Sequence, residues 1–158
     1  TIAYAIRGLF ECGLELQNER FVDSALKAAT RLAEIQRKDG WLGGTYDQNW
    51  TTKDKYCCLT GVAQMCLVWI RINEHVGHAE CNEAALRGIQ YLKSHQKLLS
   101  GSSQEVGGIA GSFPTWGDYS RFEFPNWAAK FFADALMMQS NPSRAIPPQT
   151  QLSDKNNG

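Results

Sequence analysis

The sequence partly repeats itself at an offset of 60 residues, and this repeat is the feature that most restricts its fold. The stretch Lys27–Gln36 carries basic, small, aliphatic and glutamine residues that align in register with those of Arg87–Gln96. A loop with glycine, aromatic residues and tryptophan follows each stretch, and an apolar segment follows each loop. Helix pairs that recur in this way bury their apolar faces by stacking on neighbouring pairs. The repeat therefore predicts a stack of helix pairs.

Helical periodicity predicts an all-α domain. Five segments carry apolar residues at helical spacing, and the third is apolar on nearly all sides. They are Thr1–Asn18, Phe21–Gln36, Lys55–Asn73, Cys81–Gln96 and Pro125–Met138. The helical domain is expected to cover residues 1–140, and residues 141–158, rich in Pro, Gln, Ser and Asn, are expected to be disordered or draped on the surface.

Two long connections, residues 39–54 and 97–124, join these predicted helices. Both are rich in glycine and aromatic residues, and neither alternates clearly enough to predict a strand. Connections of this length inside one domain are usually functional. We therefore expect the ligand-binding residues in these loops. Asp54, just ahead of the third helix, is the predicted N-cap of that helix.

Charge and cysteine content narrow the function classes. Sixteen Lys and Arg balance sixteen Asp and Glu, which argues against a nucleic-acid partner, because a basic excess supplies most of that affinity. No apolar run approaches the roughly 18 residues that a bilayer span needs. The five cysteines form an odd set that fits reduced, mostly structural thiols, so a cytoplasmic location is expected.

The repeat also carries a family resemblance. The pattern basic, small, x, x, aromatic, aliphatic, x, x, x, Gln, then Gly and Trp, resembles the QW repeat of squalene and oxidosqualene cyclases, to which the helix-pair repeats of protein prenyltransferase β subunits are related. The best match comprises Arg87, Gly88, Tyr91, Leu92 and Gln96. The resemblance implies an α/α toroid, in which inner helices surround a cavity, outer helices wrap them, and Gln and Trp tie the layers together. The first, third and fifth helices would be inner.

Three functional hypotheses follow from the residues and the resemblance. The first is the substrate-binding part of a terpenoid cyclase- or prenyltransferase-like toroid, with an aromatic-lined cavity at the inner-helix N-termini. The second is a carbohydrate-active or carbohydrate-binding toroid, and the third is a non-catalytic interaction or structural module. Whether the protein is an enzyme stays open, since fold analogy alone does not establish a reaction.

Aromatic and polar residues near the inner-helix N-termini are the candidate substrate-binding residues. Aromatic faces stack on sugars or shelter cations, whereas a QW-type tryptophan can instead clamp helices together. The candidates are Trp50, Tyr56, Trp116, Tyr119, Arg121, Asn126, Trp127 and Lys130. Asn126 and Lys130 lie one turn apart and would hold an anionic group, unless Lys130 is a surface charge.

The loop carboxylates are the candidate catalytic residues. Paired carboxylates do acid–base work on glycosidic bonds, although loop aspartates also cap turns. The candidates are Asp47, Asp54, Asp118 and Glu123. His75, His78 and Cys81 have ligand-type spacing but lack a fourth ligand, so we predict no metal, and we predict no cofactor.

The expected partners follow from the incomplete ring. Five helices supply two and a half helix pairs, so an exposed apolar inner face is expected. A second copy of the chain, or the remainder of a longer chain, would cover that face. The expected ligand is a small molecule or an oligosaccharide, with no nucleic acid and no membrane span.

Overall fold

The computed structural model describes residues 2–98 and 105–140, and it is mainly helical. The described elements, in chain order, are α1 (Ile2–Glu15), α2 (Glu19–Ile35), β1 (Cys57–Cys58), α3 (Leu59–Val76), α4 (Ala79–His95), β2 (Ser112–Phe113) and α5 (Asn126–Ser140). The predicted helical class is confirmed, and the largest difference in helix bounds is four residues, at the start of α3. The tail predicted over residues 141–158 lies outside the described residues.

The start of α3 corrects two sequence-based predictions. Cys58, not Asp54, is the N-cap, and its Sγ accepts the Gly61 N–H at 3.3 Å. The residues before the helix are extended because Cys57 and Cys58 pair antiparallel with Phe113 and Ser112, which form the strand not expected in the second long connection. Long-range pairing thus shortens the helix that local periodicity predicted.

Two helical hairpins and a fifth helix build the core. Helix α1 packs against α2, helix α3 packs against both α4 and α5, and smaller contacts join α1 to α3 and α2 to α4. The fully buried Trp69 of α3 donates from Nε1 to the Ala29 carbonyl of α2 at 2.9 Å, which fastens one hairpin to the other. Within the described ranges, no helix has both the length and the apolar content to cross a bilayer.

Candidate functional site

A cleft of about 480 Å³ opens at the N-terminal end of α3. The first turn of α1, the first two turns of α3 and parts of both long loops enclose it. Its aromatic and polar lining residues are Tyr4, Thr45, Tyr46, Tyr56, Cys58, Thr60, Gln64, Asp118 and Tyr119. Its aliphatic lining includes Ile2, Leu42, Val62 and Met65. The cleft therefore combines an apolar body with a few hydrogen-bonding groups, as small-molecule sites do.

Tyr56 brings the two long loops together on one side of this cleft. A Cβ atom on Gly44 would lie 2.2 Å from the Tyr56 ring, and one on Gly117 would lie 2.6 Å from it. The ring of Tyr56 thus packs directly on the backbone of one glycine from each loop. The pairing of β1 with β2 and the bridge between Gly43 and Cys57 hold the same two loops together. Glycine at these positions is what permits the close approach.

Two tyrosines of the cleft, Tyr46 and Tyr56, stay protonated at neutral pH. Burial raises the pKa of Tyr46 to about 12, and its hydroxyl accepts the Gly43 N–H at 2.8 Å. Burial, followed by the nearby carboxylates of Asp54 and Asp118, raises the pKa of Tyr56 as well. Desolvation disfavours a charged phenolate. The phenol groups of Tyr46 and Tyr56 therefore act as neutral hydrogen-bonding groups.

Thr60, in the first turn of α3, carries an unsatisfied polar atom. Thr60 is 2% exposed, and its Oγ1 is the one buried side-chain oxygen or nitrogen of the described residues without a hydrogen-bond partner. A buried hydroxyl without a partner costs about 1–3 kcal/mol. Cys58 lies beside it as a neutral thiol, because burial raises the pKa of Cys58. A ligand that supplied a partner to Thr60 would recover part of this cost.

The charge of the cleft is small. Asp118 is the only charged residue among the described residues that line it, so the lining contains no lysine or arginine. Arg121 pairs with the Asp118 carboxylate at 2.5 Å, and both side chains are exposed. An anionic group in the cleft would therefore have no cation among its lining residues, which favours an uncharged ligand.

Three of the sequence-predicted site residues line the cleft: Tyr56, Asp118 and Tyr119. Trp127 lies next to them, and its Nε1 donates to the Tyr119 hydroxyl at 3.0 Å. Trp50 and Trp116 lie outside the lining. Trp50 packs on the core with a left-handed backbone (φ 60°), whereas Trp116 is 46% exposed.

The remaining polar candidates make local contacts. Asp47 accepts the N–H groups of Asn49 and Thr51, both at 2.9 Å, and so stabilises its own turn. Lys130 pairs with Asp134 at 2.5 Å on the exposed side of α5, and its Nζ lies 4.9 Å from the Phe131 ring centre. Asp54 accepts a hydrogen bond from the Thr45 hydroxyl at 2.8 Å. Arg121, Glu123 and Asn126 are exposed.

Sequence reasoning missed the α3 residues of the site. Cys58, Thr60, Gln64 and Met65 line the cleft, yet in the sequence they belong to a helix that looks like core. One signal was available. Thr60 is a polar residue at the start of the most apolar helix, where a hydroxyl next to free N–H groups is expected to meet a partner.

The spaced histidines have structural contacts. Nδ1 of His78 accepts the Cys81 N–H at 3.4 Å as the N-cap of α4, and Nε2 lies 3.2 Å from the Thr30 hydroxyl. His75 packs edge-on against Phe10, with 5.9 Å between ring centres. In residues 2–98 and 105–140, no three His, Cys, Asp or Glu side chains are grouped as metal ligands would be.

Comparison of the chain with known protein families, with curated proteins and with solved structures gives no match. The likeness to the QW repeat therefore stays a prediction from the sequence.

Proposed function

We propose that this chain is an arc of an α/α toroid of the terpenoid cyclase and prenyltransferase type, and that the cleft at the start of α3 binds an uncharged isoprenoid. The observation that carries the proposal is the position of the cleft. It lies at the N-terminal ends of α1 and α3, beneath the long loops that follow α2 and α4. The sequence resemblance implies a ligand cavity at this place.

Helix packing supports the toroid part of the proposal. Helices α1, α3 and α5 are neighbours in that order, as inner helices of an arc would be, and α2 contacts α4, as outer helices would. The two repeat glutamines make contacts that differ from those the resemblance implies, because neither of them donates to an inner helix. Gln36 donates to the Gly40 and Ala84 carbonyls, and Gln96 donates to the Gly107 carbonyl at 3.0 Å.

The lining of the cleft supports the ligand part. Ile2, Leu42 and Val62 give the cleft an aliphatic surface, which suits a branched hydrocarbon better than a sugar. Tyr46, Tyr56 and Met65 add aromatic and polarisable surface. The absence of basic lining residues in the described chain argues against a diphosphate. The unpartnered Thr60 hydroxyl suits a single alcohol or carbonyl group on the ligand. Farnesol, an apolar chain with one hydroxyl, is therefore a suitable probe.

The carbohydrate hypothesis has less support at this cleft. It depended on a mixed polar and aromatic rim formed by Asp47, Trp50, Asp118, Tyr119, Arg121 and Lys130. Asp118 and Tyr119 line the cleft, and the other four do not. Asp47 and Lys130 already have local partners. Most of the rim on which the carbohydrate hypothesis depended is therefore absent from the cleft.

A thermal-shift titration tests the proposal. Farnesol, farnesyl diphosphate and a gluco-oligosaccharide are added to the chain separately, and farnesol is expected to raise the melting temperature most. Tyr119→Ala, which removes a lining side chain, should weaken the farnesol effect. Trp116→Ala, the matched aromatic variant in the same loop, should leave it unchanged. Stabilisation by the oligosaccharide alone, or equal loss in both variants, would refute the proposal.

A further inference from the structure

A second concave surface lies at the C-terminal ends of α2 and α4, and it shares no lining residue with the cleft. We call it the aromatic groove; its volume is about 490 Å³. Its lining includes Arg37, Trp41, Lys55, Gln90, His95 and Phe113. The proposed isoprenoid site does not include this surface.

Fixed rings form the floor of the aromatic groove. The His95 ring lies between Tyr91 and Phe113, with ring centres 4.2 and 4.1 Å away. Nδ1 of His95 is 2.7 Å from the Tyr91 carbonyl, which fixes the orientation of the imidazole. Phe113 is 43% exposed, so it offers an accessible apolar surface. Rings held in place in this way bind a ligand with little loss of conformational entropy.

Polar side chains of several kinds surround these rings. The Arg37 guanidinium lies 5.2 Å from the Trp41 ring centre and 3.6 Å from the Asp39 carboxylate. Lys55 and Gln90 are exposed on the same lining. The lining contains two cationic side chains, Arg37 and Lys55, and one carboxylate, Asp39, so it carries an excess of positive charge.

We propose that the aromatic groove binds an acidic oligosaccharide. A sugar ring has apolar C–H faces that pack on aromatic rings and a hydroxyl edge that takes hydrogen bonds from amide and guanidinium groups. A carboxylate on the sugar would match the excess positive charge of Arg37 and Lys55. Aromatic and polar side chains alternate along the lining of the groove, whereas the cleft at α3 is mainly apolar. The two sites therefore take different ligands.

The test is a titration of the ¹⁵N-labelled chain, followed by NMR, with three probes. They are an oligogalacturonate, a neutral gluco-oligosaccharide and a proline-rich peptide, which aromatic grooves also bind. The expected result is that oligogalacturonate shifts the resonances of Trp41, Gln90 and Phe113 and leaves those of the cleft unchanged. Tighter binding of the neutral sugar, binding of the peptide alone, or no binding of any probe overturns the proposal.

Matched variants localise the binding. Lys55→Ala and Phe113→Ala should each lower the affinity for oligogalacturonate about tenfold, because each removes one favourable contact. Lys53→Ala and Phe122→Ala remove an exposed lysine and an exposed phenylalanine outside the groove, and they should bind as the parent does. Since Lys55 is exposed, its variant is expected to fold even if Phe113→Ala does not. Unchanged affinity in Lys55→Ala also overturns the proposal.

Discussion

Arg87 donates a hydrogen bond from Nε to the Gln36 Oε1 at 3.0 Å, which joins α4 to the end of α2. Nε2 of Gln36 donates to the carbonyls of Ala84 at 3.2 Å and Gly40 at 3.3 Å. Gln36 is buried, and its amide is satisfied on both sides. The two residues belong to different copies of the sequence repeat, so this contact physically connects the copies.

Gln36→Ala is expected to lower the free energy of unfolding by about 2 kcal/mol, because buried partners lose their hydrogen bonds. Gln96→Ala, which removes a single bond from a half-buried amide, should cost about 1 kcal/mol. Urea unfolding measures both. Gln139→Ala, at an exposed position of α5, serves as the control. A cost for Gln36→Ala no greater than that control would contradict the role assigned to Gln36.

Alanine substitution is expected to change the stability in opposite directions at two helical glycines, Gly88 and Gly8. A Cβ on Gly88 would lie 2.6 Å from the Cys66 Sγ, whereas one on Gly8 would have nothing within 4 Å. Gly8→Ala should therefore stabilise the protein by about 0.5–1 kcal/mol through helix propensity. Gly88→Ala should instead destabilise it by about 1–3 kcal/mol, because α3 and α4 must move apart. Thermal unfolding of both variants distinguishes them.

The double variant Gly88→Ala, Cys66→Ala tests the cause of that loss. Removing the Cys66 Sγ frees the space that the new methyl group needs. We expect the double variant to be more stable than the sum of the single effects predicts, by about 1 kcal/mol of coupling. Strict additivity would mean that the Gly88 contact with Cys66 does not limit the packing of the two helices.

Thr60→Val is expected to raise the free energy of unfolding by about 1 kcal/mol, because it removes the buried hydroxyl that has no partner. If Thr60 bonds to the ligand hydroxyl, the same change should weaken the binding of farnesol. The binding of a hydrocarbon of equal length should not change. Thr52→Val is the control, since the Thr52 hydroxyl accepts the Asp54 N–H at 3.1 Å and its loss should destabilise. Destabilisation by Thr60→Val would contradict the account of this residue.

Alkaline pH should destabilise the fold through its buried thiols. Burial raises the pKa of Cys57 to about 12 and that of Cys81 to about 11. The unfolded chain releases these protons near pH 8.5 while the folded chain keeps them. The contribution of these thiols to the free energy of unfolding is therefore fully present below about pH 8.5. It decreases as pH rises, by up to about 1.4 kcal/mol per pH unit for each thiol.

Urea unfolding between pH 7 and pH 10 measures this decline. Cys57→Ala should make it shallower, because the variant has one buried thiol fewer. Cys12→Ala is the control, since Cys12 is exposed. A stability that stays constant up to pH 10, or an equal slope in all three proteins, would show that these thiols do not titrate as described.

The helices were predictable from the sequence because their signals are local. Apolar periodicity located all five to within four residues at each end. The caps Asn18 and Gly77 were not predicted, although both are residue types that local capping rules favour. The start of α3 was not predictable in this way. It depends on the pairing of Cys57 with Phe113, a contact between distant parts of the chain that no local pattern contains.

The site was predictable in part for the same reason. Their positions in or next to the long loops, near the predicted N-termini of the inner helices, drew attention to Tyr56, Asp118 and Tyr119. Thr60 was not predicted as a site residue, because only the folded structure shows that its hydroxyl lacks a hydrogen-bond partner. Lys130 was weighed as a ligand residue, although Asp134 lies four residues further along the same predicted helix, a spacing at which opposite charges pair.

Photoaffinity labelling tests the binding of an isoprenoid in the cleft most directly. A farnesol analogue with a diazirine on its chain is cross-linked to the protein, and the modified residues are mapped by mass spectrometry, with excess farnesol as competitor. We predict that the competed cross-links fall on cleft residues such as Tyr46, Tyr56 and Met65. Competed cross-links confined to the aromatic groove or to the exposed side of α5, or none that farnesol displaces, would contradict the proposed function.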